Sequence, residues 1–215
     1  RVKCMIHSLN YPKSIVAERP SSLAFGVATM PTDLNRLASE LDPTRTVLFF
    51  GAGACVSSHA PSVQKLMEVF EGTFGESSAG YSLREYTGIL EDKHSRKQLV
   101  ETLRKPFKSL RPTGSLLNLP LYSWKSIYTT NYDTLIEQCY EKKSVDLVVY
   151  ESNFDFKVHD NQNAIKLFKL HGSIDKDICD GHSARIILTD NDYDHTQTFR
   201  EGLYDRLKAD LYGAN

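Results

Sequence analysis

Short strand-like segments, each passing directly into a glycine-rich or polar cluster, constrain this chain more than any other feature. Residues 46–50 (TVLFF) run into Gly51-Ala52-Gly53-Ala54-Cys55. Residues 124–128 run into Thr129-Thr130-Asn131-Tyr132-Asp133, and residues 165–170 into His171-Gly172-Ser173. Residues 146–150 (DLVVY) and 185–188 are further runs of this kind. The unbroken run at 46–50 suits a strand buried on both faces, and the others are strand candidates. Helical patterns separate them. Val63, Leu66, Met67 and Phe70 form one stripe after Pro61-Ser62, and residues 134–141 follow Asp133 as a helix cap. Phe199, Leu203 and Leu207 mark a last helix. Strands alternating with helices predict an α/β, Rossmann-like fold with a mainly parallel sheet and flanking helices.

Residues 72–119 are mostly polar, with candidate helices at 83–92 and 95–104. They read as a small helical insertion able to cover a site. Residues 1–40 read as an N-terminal extension. Candidate strands at 2–9 and 22–27 are cut up by Pro12, Pro20 and Pro31, and a short helix capped by Thr32 or Asp33 carries Leu34, Leu37, Ala38 and Leu41. The domain proper is expected over 41–215.

Lys plus Arg number 26 and Asp plus Glu 27, a net charge of −1, which argues against a dedicated nucleic-acid binder. No apolar run reaches the ~18–20 residues of a membrane helix. The four cysteines, Cys4, Cys55, Cys139 and Cys179, form no CxxC pair, so no zinc ribbon is expected and a disulfide framework is disfavoured. A reducing cytoplasm is the default compartment. The chain starts at Arg1, and the expectation is that it is a piece of something larger.

Ligands of parallel α/β sheets bind beyond the carboxyl ends of the strands, where three of the clusters fall. Glycines at 51 and 53 let a backbone approach a phosphate, and a helix start there supplies free N–H groups. A tight strand–helix turn accounts for them equally well. The dehydrogenase fingerprint needs a third glycine where Val56 stands, so ordinary hydride transfer is disfavoured. Asn131 can both donate to and accept from a ligand, and Asp133 is equally a helix cap. His171 follows a strand directly and can take a proton from a hydroxyl or a water. The other histidines fall in polar stretches. Cys55 beside a helix start, with His171 and Asn131, contains the parts of a thiol protease but no local signature of one. Asp190, Asp192, Asp194 and Glu201 match an EF-hand spacing, but His195 replaces the required glycine. A capped helix start is the better account.

At these residues the chain resembles the sirtuin superfamily, and more closely its bacterial NAD-consuming branch used in anti-phage defence. The matching pieces are residues 49–54, residues 129–133, residues 169–173, and Ile187-Leu188-Thr189-Asp190 with Asp192-Tyr193. The resemblance implies a Rossmann-like core that binds NAD as substrate. Gly51, Ala52, Gly53, Ala54, Cys55 and Thr130 would hold it, and Asp133 would position its nicotinamide end. Asn131 and His171 match residues required to cleave the nicotinamide–ribose bond. Deacylating sirtuins carry a cysteine-ligated zinc module and a longer loop than Val56–Pro61, so the resemblance points to hydrolysis, without metal, giving nicotinamide and ADP-ribose. Protein deacylation, ADP-ribosyl transfer or a non-catalytic nucleotide-sensing role are the alternatives. The resemblance also implies a homo-oligomer or larger defence complex in the cytoplasm. A further strand carrying a glycine-serine pair is expected after Tyr212, so the C-terminal part of the domain is expected to be missing.

Overall fold

A computed structural model of the chain describes residues 33–157, 163–177 and 184–212. The candidate strands at 2–9 and 22–27, and Thr32, Cys4, Cys179, His7, His159 and His182, lie outside the described residues. The chain divides into two compact units, residues 1–41 with 215, and residues 42–214. In the first, helix α1 (Leu34–Glu40) begins at Asp33, whose carboxylate accepts the N–H groups of Asn35 and Arg36 at 3.0 and 3.2 Å.

The second unit opens with strand β1 (Val47–Phe50). Helices α2 (Val63–Phe74), α3 (Leu83–Lys93) and α4 (Arg96–Arg104) follow. Next come β2 (Ser126–Thr129), α5 (Leu135–Lys143), β3 (Leu147–Tyr150) and β4 (Ile165–Lys169). Helices α6 (Asp190–Asp194) and α7 (Thr196–Tyr212) complete the described unit. The four strands are all parallel in the order β1-β2-β4-β3, giving an α/β Rossmann-like fold.

Register explains the layers, because side chains alternate between faces along a strand. Ile127, Leu167 and Val149 align on one face, which α5 and a 3-10 segment (Gly114–Leu121) cover through Leu135, Cys139, Leu116 and Leu119. Tyr128, Phe168 and Tyr150 align on the other face and stack at 4.6 and 4.8 Å between ring centroids. Leu203, with Tyr204 and Leu207 of α7, closes that face. The Tyr128 hydroxyl donates to Asp210 Oδ2 at 2.8 Å, anchoring the end of α7 to the sheet.

A third core lies away from the sheet. Leu66, Met67 and Phe70 of α2 pack with Tyr86 and Leu90 of α3 and Leu99 and Leu103 of α4. Helix α2, which precedes residue 72, shares this core with α3 and α4. Residues 185–188 are not a fifth strand: Ile186, Ile187 and Leu188 are buried, Ile186 and Leu188 among the helices of this third core. Their apolar run reflects burial by helices, a pattern that strand and buried coil share. Two burial expectations also change. Val63 is exposed at the first turn of α2, and Phe49 is exposed because β1 is an edge of the described sheet.

Candidate functional site

The carboxyl ends of β1, β2 and β4 lie side by side, so the three sequence clusters meet. Thr130 N–H donates to Phe50 O at 3.2 Å, and Leu170 N–H donates to Thr129 O at 2.9 Å. After β1, Gly51 leads into a 3-10 segment (Ala52–Ser58). Ala54 N–H already donates to Gly51 O at 3.0 Å. Ala52 and Gly53, first in the 3-10 segment and both exposed, have no intrahelical acceptor for their N–H groups. A Cβ on Gly53 would meet nothing within 4 Å, and one on Gly51 only Thr130 Oγ1 at 4.0 Å. Neither glycine has the left-handed backbone that favours glycine. The turn alone therefore does not require them.

Asn131 is half-buried, and its amide donates to Gly51 O at 3.2 Å and to Cys55 Sγ at 3.0 Å. Both bonds use the NH₂ group, leaving Oδ1 as the group the side chain can present. Asp133 is buried, and its Oδ1 accepts Leu135 N–H at 3.0 Å at the start of α5. Cys55 is buried against the sheet. Burial pushes its thiol well above the usual range, and its hydrogen bond to the Asp133 carboxylate pushes it further. The shift runs opposite to what a reactive thiol beside a helix start needs, because desolvation is its largest cause. Cys55 thus supports Asn131 from below.

His171 is half-buried at the end of β4. Its carbonyl accepts Ile187 N–H at 3.0 Å, bringing residues 185–188 beside it. Its ring lies 6.4 Å from that of Tyr132 and edge-on to Tyr193 at 5.8 Å. Burial, helped by the Arg200 charge, lowers its pKa to about 4. This direction favours the neutral imidazole, the form a general base needs. Gly172 has φ +76°, and the Arg200 guanidinium would lie 2.9 Å from a Cβ there, so this glycine is required by the fold.

Lys169, Tyr132, Tyr193 and Arg200 were given no role from sequence. Lys169 is fully buried, and its ammonium donates to Asp133 O at 2.6 Å, Glu137 Oε1 at 2.7 Å and Ser173 Oγ at 3.2 Å. A lysine closing an apolar strand was the available signal.

Residues 125–214 match the family model described as the SIR2-like domain. This part of the chain is similar to that family. The SIR2-like segment contains Asn131, Asp133, Lys169 and His171. The glycine turn precedes the matched residues and joins them through β1–β2 pairing. A SIR2-like domain fits an NAD-related function. No curated protein matches the chain.

Beside the site, a cleft of about 450 Å³ runs between α4 and the start of α5, lined by Arg104, Lys105, Lys108, Asp133, Thr134 and Ile174. Neither the glycine turn nor His171 lines it. The acidic run at 190–194 is helix α6, capped by Thr189 in a reciprocal box with Asp192. Asp192 is buried against Arg96 and Arg185 instead of being open to calcium. Among the described residues no three or more His, Cys, Asp or Glu gather as metal ligands, and no helix is long and apolar enough to cross a membrane.

Proposed function

We propose that this domain hydrolyses NAD at the nicotinamide–ribose bond. The observation that carries the reading is the placement of His171 and Asn131 on the same sheet edge as a glycine turn with open space over its backbone. The N–H groups of Ala52 and Gly53 would take the pyrophosphate, and Asn131 Oδ1 would accept from a ribose hydroxyl or the attacking water. The glycosidic C–N bond breaks through an oxocarbenium-like state. Water adds to C1′, its proton passes to His171, and nicotinamide leaves as the neutral base, so that NAD⁺ and water give nicotinamide, ADP-ribose and a proton. Thr130, beside Gly51, would help hold the bound NAD, and Asp133 would position its nicotinamide end.

In this reading the domain is the cytoplasmic effector of an anti-phage defence protein and works as an oligomer. Deacylation of protein lysines on the same site is the alternative reading. Nicotinamide release from NAD by the full-length protein, with and without an acyl-lysine peptide, separates the two. Release that needs the peptide would replace hydrolysis by deacylation.

A further inference from the structure

Lys169 closes β4 on the face that meets α5, in register with Thr129 of β2. Its ammonium has three N–H donors and meets three acceptors, each from a different piece of chain. Asp133 O belongs to the turn that carries Asn131. Ser173 Oγ belongs to the turn that carries His171. Glu137, on the first turn of α5, supplies the opposing charge. An aliphatic side chain would fill the same buried space without the desolvation cost of an ammonium. What it would not supply is a directional link between the two turns. On the outer side, Ile174 N–H to Tyr132 O at 2.9 Å already joins them. Lys169 joins them from beneath.

We propose that Lys169 is a positioning residue that ties the Asp133 turn to the His171–Ser173 turn and thereby sets the spacing of Asn131 and His171. It touches no substrate. It acts through the two turns, and a displacement of about 1 Å at a reacting group can cost ~10²-fold in rate. Only the kinetic arm of the test rests on the hydrolase reading.

The test uses the full-length protein with Lys169→Met, Ser173→Ala and Ser173→Thr. Ser173→Ala removes one acceptor and no charge. Nicotinamide release gives kcat and KM, and the His171 ring protons in NMR give its titration midpoint. In folded Lys169→Met and Ser173→Ala, kcat is expected to fall by up to ~10²-fold with KM little changed. The His171 midpoint is expected to rise from about 4 as the turn loosens and water reaches the ring. Ser173→Thr keeps the hydroxyl and is expected to restore both. Movement of either readout in folded Ser173→Ala supports the proposal. Parental kcat and an unmoved midpoint in the folded variants, with only thermal stability lost, would overturn it. Should Lys169→Met fail to fold, Ser173→Ala decides alone. If the parent releases no nicotinamide, the hydrolase reading fails, and the titration still decides for or against Lys169.

Discussion

Lys169 and Arg96 are both buried cations satisfied by several oxygens, yet they join different parts of the molecule. Lys169 binds pieces that lie close along the sheet edge, and two of its three acceptors are neutral. Arg96, on α4, donates to Asp177 Oδ2 at 2.6 Å, Asp192 Oδ2 at 2.8 Å and Ile186 O at 2.9 Å, with Glu91 at 3.4 Å. Burial disfavours its charge, but the hydrogen bond to Asp177 and the charges of Asp192, Asp177 and Glu91 hold its pKa above the ordinary value. Arg185 adds a second cation, bonded to Glu91 at 2.5 Å. The sheet edge thus uses one charge to align turns. The helical insertion uses an ionic cluster to fasten α3 and α4 to the chain around Ile186 and α6.

The largest expected effect breaks the second cluster. Arg96→Met leaves the Asp177 carboxylate without its cation and Asp192 with Arg185 alone. Removing one partner of a buried ion network costs ~3–5 kcal/mol. Urea unfolding should register that loss, and hydrogen exchange should place it in α3, α4 and residues 184–194 before the sheet. Uniform loss of protection would mean that the two regions unfold as one.

Next come the site residues. His171→Ala and Asn131→Ala should each bring nicotinamide release close to background, because general acid–base help is typically worth ~10²–10⁴-fold. Stability should fall by only about 1 kcal/mol for Asn131→Ala, which loses its bonds to the glycine turn. A folded His171→Ala with parental turnover would remove His171 as the base.

The same histidine gives a pH test of the sheet edge. Its folded pKa, about 4, lies below its ordinary value near 6.5. Between those values the unfolded chain binds a proton that the folded chain does not, so stability rises with pH across that window. The contribution is complete above about pH 6.5 and lost as pH falls to 4, a difference of ~3 kcal/mol at most. Because the base stays neutral, the acid limb of kcat/KM should fall near pH 4 and not near 6.5. An acid limb at 6.5 would mean that the ring is solvated.

These two regions also differ in how far the sequence disclosed them. The sheet edge was legible because strand ends carry local signatures: Gly51, Asn131, Asp133 and His171 each follow an apolar run within a few residues. The ionic cluster was not, because Arg96 meets Asp177 and Asp192, which stand far along the chain with no pattern to pair them. Residues 185–188 misled for a related reason. Their burial comes from helices distant in sequence, and an apolar run does not say which partner buries it. Lys169 was visible as a polar residue ending a strand, but its three acceptors depend on two turns meeting, which only the fold supplies.

The smallest expected effect concerns the thiol between the regions' chemistries. Cys55 lies under Asn131, accepts its amide and donates to Asp133. Its thiol is held far above neutrality, mainly by burial, so it supplies no thiolate for nucleophilic attack. Cys55→Ala should therefore cost about 1 kcal/mol of stability for the lost hydrogen bonds. Turnover should drop by less than about tenfold, since Asn131 keeps its bond to Gly51 O and the roles of His171 and Lys169 are untouched. Cys55→Ser, which keeps a donor and an acceptor, should recover most of that loss. If Cys55→Ala is folded and inactive while Cys55→Ser is also inactive, the sulfur itself acts. The neutral imidazole would then serve a thiol, and the glycosidic mechanism drawn for the sheet edge would have to be abandoned.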